Sequence, residues 1–536
     1  MSVFRQQLAA ALSAQSAPHG GDPSARRWLY VPYDQLSDGI GPLSRLPPES
    51  LGIVLIETRH KPARRPYHKQ KLALLLTNMR HFVLEQARRG VAVRYLHGDA
   101  PYAEFLRQQA AELGPLQCMD PAERELRTEL QPLFDQGLLE RIPHEGWLSR
   151  EADFAKAGKG PFRMDAFYRN LRKRTGILMQ DGKPVGGRFS FDGDNREPWK
   201  GDPPAPEPPS FPSDPIKEEV LALVSEHFAH HPGRLDGSQI PGTLAQARSL
   251  WAWAQRACMT HFGPFEDAMS TRSRGLFHTR ISPLLNLHRL LPAQVLSDAL
   301  ALDVPLNSKE GFVRQLLGWR EFVRHIHRVT DGMRRFQGQA LSDPLSRSAP
   351  LPPGYWEGAP TGLECLDREV AAVWETGWTH HIPRLMVLAN IATLLDVDPW
   401  ALSDWFWVGF IDAFDWVVEP NVVGMGSFGV GELMTTKPYV SGANYIHKMG
   451  DACAQCAFHP KKTCPLTPMY WAFLARHREV FSENHRMNIV VSSLGRRSAE
   501  KQAEDQRVFE VVHAALQAGE HLTPQSLQES GQGSLF

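Results

Sequence analysis

The chain has 536 residues, 42% of them hydrophobic and 22% charged, with 59 Lys and Arg set against 59 Asp and Glu. Such a length suits roughly two to four domains with a large buried core, and the composition is that of an ordinary globular protein. A formal net charge of +0 excludes a protein that coats nucleic acid over its whole surface, although a local basic groove can be balanced by acids elsewhere.

The opening MSVFRQQLAAALSAQSAP mixes Arg, Gln and Ser into an Ala-rich run, which predicts a short or frayed helix and no signal peptide. Strand-like runs RWLYVPYDQL and LGIVLIE follow, then KLALLLTNMRHFVLEQARRG with helical spacing and a stop at Gly90. VAVRYLH reads as a strand, PYAEFLRQQAAELG as a helix, and PLQCMD as a short strand before PAERELRTEL. The alternation predicts an α/β N-terminal domain over residues 1–160, with a parallel sheet whose ligands sit outside the carboxyl ends of the strands. No GxGxxG follows the first strand, so the usual dinucleotide fingerprint is absent. Residues 161–215 are taken as a linker, because 181–215 is rich in Pro, Gly and Asp and predicts no regular element. From 216 to 520 the text is helical, as in EGFVRQLLGWREFVRHIHRV and PWALSDWFWVGFIDAFDWVV, and predicts a larger all-α domain. Residues 521–536 form a polar tail. No run of about 18 apolar residues occurs, so no membrane segment is expected. A cytoplasmic monomer is.

Three kinds of residue carry chemistry. Cys453, Cys456 and Cys464 cluster in DACAQCAFHPKKTCPLTP, which suggests metal ligation in a reducing compartment and needs a fourth ligand. Zinc on four thiolates and an iron–sulfur site both suit that spacing. Tryptophans gather at Trp405, Trp407 and Trp416, and at Trp374 and Trp378; alone they would be core packing. Yet Gln315, Arg320, His380, His381, Arg384, Asp412 and Asp415 recur in the same apolar segments, and buried polar groups must be paired or face a ligand. The combination suggests a large aromatic cofactor in a helical cup. The basic runs RHKPARRPYHKQK (59–71) and RNLRKR (169–174) are candidate phosphate contacts, against the commoner alternative of a solvated face.

Several long stretches resemble the iron–sulfur bacterial cryptochromes and photolyases: EGFVRQLLGWREFVR, TGWTHHIPRLMVLANIATLL, DAFDWVVEPNVVGM and TKPYVSGANYIHKMGDACAQCAFHPKKTCP, with RPYHKQKLALLLTNMRHF and MDAFYRNLRKRTGILMQDGKPVGGRFSFDGDNREP in the first half. The resemblance runs from about residue 28 to 485. It implies FAD in the helical domain and an antenna pocket in the α/β domain, filled in relatives by 6,7-dimethyl-8-ribityllumazine. It also implies a [4Fe–4S] cluster on Cys365, Cys453, Cys456 and Cys464. By the same resemblance His278, Thr279, Arg280 and Ser282 hold the FAD phosphates, and Arg384 and Asp412 flank the flavin. Asp415, one turn on from Asp412, is expected on the same face. His380 and His381 face the lesion, with His381 as proton donor; Met425 and Tyr439 shape the lesion pocket, and Gln315 and Trp319 form its floor.

Two positions depart from the family pattern. Val418 stands where relatives often carry a Glu, and the neighbouring Glu419 is expected to point elsewhere. The electron chain implied by the resemblance runs from Trp405 through a middle aromatic to Trp356. Its middle position is Phe406, a poor hopping station, so Trp407 is the candidate substitute. The expected function is light-driven repair of UV-damaged DNA by a carbon–carbon lyase, most readily of (6-4) lesions; the alternative is a blue-light photoreceptor without repair. The terminal QGSLF resembles the peptide by which repair proteins dock on the sliding clamp, through Gln532, Leu535 and Phe536.

Overall fold

The computed structural model describes residues 2–15, 26–156, 158, 160–356 and 360–529. Its first half is built on a five-stranded sheet of β1 (Arg27–Tyr30), β2 (Leu51–Thr58), β3 (Ala92–Gly98), β4 (Leu116–Met119) and β5 (Leu139–Ile142). The spatial order is β3-β2-β1-β4-β5 and every pairing is parallel. β2 reads LGIVLIET with no polar alternation and is buried along nearly its whole length. That is the pattern of a strand covered on both faces. Gly52 belongs there because a Cβ would stand 2.5 Å from the Trp28 ring.

The covering helices include α1 (Val3–Ser13), α2 (Lys69–Arg88), α3 (Tyr102–Leu113) and α4 (Arg124–Asp135). The predicted N-terminal helix is thus present, and it is anchored. Phe4 is buried, with its ring 4.8 Å from that of Tyr95. α2 starts where the His68 ring nitrogen accepts the Gln70 amide proton, and it turns Leu72, Phe82 and Val83 inward.

Residues 161–215 are more than a tether. They hold α5 (Met164–Thr175), a two-stranded turn at 179–184 and a meandering segment that packs on the helical half. There the Phe191 amide donates to Glu310 and Asn195 Nδ2 donates to Glu266, both at 2.9 Å. Composition identifies the missing regular structure but not these anchors.

The second half is helical apart from a two-stranded turn at 335–340. α6 (306–329), α7 (Glu364–Thr376), α8 (383–394), α9 (Pro399–Gly409), α10 (415–426), α11 (Ala443–Met449), α12 (Leu466–Arg476) and α13 (Ala499–Gln517) pack into one body continuous with the sheet domain's core. Leu522 is buried and its amide donates to the Thr361 carbonyl, so the start of the tail is docked. Gln532, Leu535 and Phe536 lie outside the described residues. Among those residues no helix is long and apolar enough to cross a membrane.

Candidate active site

A cavity of about 1530 Å³ opens inside the helical half. That exceeds the usual several hundred Å³ of a drug-sized ligand site and leaves room for a large cofactor beside a second ligand. Three helices that wall it widen into π-type turns where they meet it: Arg314–Arg320 of α6, Pro383–Ala389 of α8 and Pro420–Gly426 of α10. Each widened turn slips the side-chain register, and such turns recur at functional sites. These turns carry Gln315 and Trp319, Arg384, and Met425 into the lining.

The structure brings together nearly every residue expected to touch cofactor or lesion. His278, Thr279, Arg280, Ser282, Gln315, Trp319, His380, His381, Arg384, Asp412, Met425 and Tyr439 all line this cavity. Arg384 and Asp412 form a two-pronged ion pair, Nη1 to Oδ1 at 2.9 Å and Nη2 to Oδ2 at 3.1 Å. Ser282 Oγ donates to Asp412 Oδ2 at 2.6 Å, and Arg384 Nε donates to the Thr379 carbonyl at 2.7 Å. Burial alone would raise the Asp412 carboxyl. The Arg384 charge and these hydrogen bonds overcome it and hold the group below its ordinary value.

The His278 and His380 rings stack at 4.2 Å, and His381 stands 5.5 Å from His278. Burial, reinforced by the neighbouring ring, pushes His278 and His380 well below the ordinary histidine value. The His381 side chain is 46% exposed, but its exposure is to the cavity. The enclosing walls, with Arg314 and Arg384 nearby, bring it down to about 4. All three imidazoles are therefore neutral at neutral pH. His278 Nε2, His380 Nδ1, Arg320 Nε and Trp416 Nε1 are buried in the cavity wall without a hydrogen-bond partner. Unpartnered polar atoms on an otherwise apolar wall fit a bound aromatic group with polar edges. Arg280 is held in the left-handed region at φ +56°, a strain of the kind stored at ligand sites.

Glu266 is a site residue that sequence reasoning missed. It lies 2.6 Å from Gln315 Nε2 and 3.4 Å from Arg314, and burial brings its carboxyl up to about 7. Its bond fixes the Gln315 amide with the carbonyl free for a ligand. Nothing in HFGPFEDAMS marks this acid, whose partners are all distant in the chain.

Several expectations are corrected. Asp415 is not in the cavity lining. α10 begins at Asp415, so Asp412 precedes the helix and the assumed one-turn relation does not exist. Asp415 instead accepts the Glu125 amide proton at 3.2 Å and stands 3.7 Å from His327, tying α10 to α4. Trp407 faces away from the cavity, beneath the Arg65 guanidinium at 3.8 Å, and does not fill the gap left by Phe406. Trp405 is fully buried behind Phe406, and Trp356 is 40% exposed. Val418 lines the cavity, whereas Glu419 turns away to Arg334 at 2.9 Å, as expected.

The basic run 59–71 is largely committed internally. Arg59 pairs with Asp99, Lys61 with Glu123, and Arg65 with Glu125 and Asp404. Lys71 Nζ donates to the carbonyls of Trp407 and Ala413 at 2.8 and 2.5 Å. In the other run, Arg172 is buried on backbone carbonyls, while Arg169 and Lys173 line the cavity together with Arg188, Arg196 and Lys437.

Two further features are built from expected residues. Cys365, Cys453, Cys456 and Cys464 line one small pocket with Leu363, Ala443, Ile446, Phe458 and Leu466. Cys118 and Cys258 are buried elsewhere. A second cavity, of about 380 Å³, lies at the carboxyl ends of β1, β2 and β3, between sheet and helices. Tyr33, Lys61, Tyr102, Glu123, Trp407 and Phe414 are among its walls.

Residues 29–240 match the family model of the deoxyribodipyrimidine photo-lyase-related proteins. A (6-4) photolyase of Agrobacterium fabrum is 34% identical over 475 residues, 85% of this chain and 92% of its own length. An uncharacterised protein of Acanthamoeba polyphaga mimivirus is 39% identical over 66 residues, 12% of this chain and 54% of that one. Among solved structures, a bacterial class III photolyase from Agrobacterium tumefaciens shares the fold with a TM-score of 0.51 at 15% sequence identity, over 94% of this chain and 100% of that one. On its sequence, the two-domain fold and the cavity just described, the chain belongs to the bacterial (6-4) photolyase and cryptochrome family.

Proposed function

We propose that this chain is a light-driven DNA photolyase that reverses (6-4) photoproducts, with FAD in the large cavity. The observation that carries the reading is the convergence on one cavity of the Arg384–Asp412 pair, the stacked histidines, and buried donors that lack partners. His278, Thr279, Arg280 and Ser282 would hold the phosphates, and Arg384 with Asp412 would flank the ring system. Bound FAD would supply light absorption and one-electron chemistry. The chain's own task is to orient the lesion, exclude water and manage a proton. Gln315, held by Glu266, offers a carbonyl acceptor. His381, open to the cavity and 3.8 Å from Asp267, is the candidate donor at the lesion. Its neutral ring can donate only through N–H, and an incoming phosphate would favour its charged form. Met425 and Tyr439 in the cavity wall, Tyr439 exposed and Met425 half-buried, would shape the flipped-out nucleotide's pocket. Arg169, Lys173, Arg188 and Lys437 would meet phosphates around the mouth.

The smaller cavity supports an antenna chromophore of the ribityllumazine type. The four-cysteine pocket supports a [4Fe–4S] cluster, which would clip the segment at 453–464 to α7. Iron and sulfide in anaerobically purified protein would uphold that assignment, and zinc alone would sink it. The QGSLF peptide supports docking on a sliding clamp; retention on clamp-loaded DNA that survives deletion of residues 532–536 would remove it. The decisive experiment is anaerobic illumination of reduced protein with (6-4) and cyclobutane oligonucleotides. Restoration of the (6-4) pair is expected, and turnover of neither lesion would favour the photoreceptor.

A further inference from the structure

Between Glu432 and Glu479 the one acid is Asp451, whereas Lys437, Lys448, Lys461, Lys462, Arg476 and Arg478 are basic. Asp451 is turned inward, accepting the Thr271 amide at 2.6 Å and the Ser270 hydroxyl at 3.1 Å. The neutrality of the whole chain is therefore not shared by this stretch, which wraps the four-cysteine pocket. Lys448 is exposed on α11, and Lys461 and Lys462 are exposed on the loop between Cys456 and Cys464. That loop is set by its own hydrogen bonds. The His459 carbonyl accepts the amides of Lys462, Thr463 and Cys464 at 3.1, 3.0 and 3.0 Å, and Thr463 Oγ1 accepts the His459 amide at 2.8 Å. Two like charges thus stand side by side on an ordered turn, and among the described residues neither meets a carboxylate. Their mutual repulsion does nothing for the fold, and an outside anion would relieve it.

The patch joins the mouth of the large cavity along two lines. On the first, Tyr445 of α11 lines the cavity and its hydroxyl donates to Asp267 at 3.1 Å. Lys448 follows at i+3, on a neighbouring face of the same helix. On the second, Arg196 lines the cavity, and three residues on the Trp199 ring lies under the Arg272 guanidinium at 4.7 Å. Gly201, at φ +112°, leaves room for that guanidinium, because a Cβ there would stand 2.8 Å from Arg272 Nη1. Arg272 is 3.9 Å from Asp451, at the start of the cysteine segment. Arg368 of α7 donates to the Thr271 carbonyl at 2.8 Å and to Gln455, between Cys453 and Cys456, at 3.3 Å. Arg196, Arg272 and Arg368 therefore lead from the mouth to the loop bearing Lys461 and Lys462.

We infer that this ridge is a second phosphate-binding surface, which holds the backbone of the damaged duplex on one side of the flipped-out nucleotide. This rests on the reading of the cavity mouth as the lesion site. Continuity with that mouth is what selects a nucleic acid backbone as the partner. The seven residues of α11 rise about 10 Å. Phosphates follow one another at about 3.4 Å along a strand, so the cysteine loop meets the duplex about three base pairs or more from the lesion. The contact is one-sided: the mouth cations neutralise phosphates beside the lesion, and the ridge neutralises those of a single arm.

The test is binding of full-length, flavin-loaded protein to (6-4) duplexes over a range of salt, read by fluorescence anisotropy. One duplex has long arms on both sides of the lesion, and two others are cut back to about two base pairs on one side or the other. The double variant Lys461→Ala, Lys462→Ala is expected to lower the slope of log K against log salt by about 2 on the long duplex. On one of the shortened duplexes, and only one, the wild type should already show the lower slope and the variant should change nothing further. Flavin absorbance equal to wild type establishes that the variant is folded. A wild-type slope in the double variant, or a loss that persists on both shortened duplexes, overturns the ridge. If Lys173→Ala still lowers the slope in that case, the mouth reading stands without it. A wild-type protein whose binding to the long duplex ignores salt overturns both.

Discussion

At the scale of single residues, the buried ion pair at the cavity is the most exposed to mutation. Asp412→Asn leaves the Arg384 guanidinium with half its partner. Loss of one member of such a buried pair typically costs about 3–5 kcal/mol, discounted here because the Arg384 side chain is 22% exposed. The expected outcome is a lower urea midpoint and purified protein largely free of FAD, measured by denaturation and by flavin absorbance. Because Asp412 is depressed in the fold, its contribution is present above the ordinary Asp value and is lost as pH falls through the lower folded one. Glu266 works in the opposite sense. Its carboxyl titrates near 7, so lesion binding should show an inflection there that Glu266→Gln abolishes. A profile unchanged by the substitution would show that Glu266 does not govern the Gln315 amide. Both residues illustrate what is legible from the text. Asp412 lies in DAFDWVVEP, a recognisable stretch, whereas the partners of Glu266 come from residues 195, 314 and 315, a proximity that only the fold creates.

At the scale of elements, the strands and helices follow from periodicity, but the three π-type turns do not. No composition marks a turn that takes one extra residue, and their conjunction on one cavity is a tertiary fact. Deleting Leu317 from the turn Arg314–Arg320 would restore ordinary helical register. The expected result is unchanged far-ultraviolet dichroism with loss of bound FAD, since Trp319 and Arg320 would rotate out of the wall. Asp415 departs from its expected place for a related reason: the chain from Asp412 to Phe414 is not yet helical, so the two carboxylates do not share a helix face. The basic run 59–71 is committed within the fold for a different reason. Charge in a sequence does not reveal its partner, and here Lys61 and Lys71 are pinned between sheet and helices.

At the scale of the whole molecule, neutrality hides a divided surface. Cations at the cavity mouth predict binding to a damaged duplex that weakens steeply with salt. Lys173→Ala should lower the slope of log K against log salt by about 1, while Arg59→Ala, already paired with Asp99, should leave it unchanged. Acid should also weaken the fold broadly. His68, His327 and His381 are each lowered to about 4 and His288 to about 3, all by burial first. Unfolded histidines take up protons below about 6.5, so stability is full above that pH and drains away as pH falls toward 4. The raised carboxyls of Asp34 and Glu266, each near 7, offset part of this. A urea midpoint that falls between pH 7 and 5 is the expected observation.

The two cavities are back to back across a wall one helix thick. Phe406 faces the larger and Trp407 the smaller; Ala413 faces the larger and Phe414 the smaller. Lys71 ties the two stretches together through the carbonyls of Trp407 and Ala413. Whatever fills one chamber therefore stiffens the partition of the other, and the second guest meets a wall whose freedom has already been lost. Occupancy should be cooperative in both directions: a guest of the larger chamber should bind more tightly to protein whose smaller chamber is filled, and a guest of the smaller more tightly when the larger is filled, by the same factor.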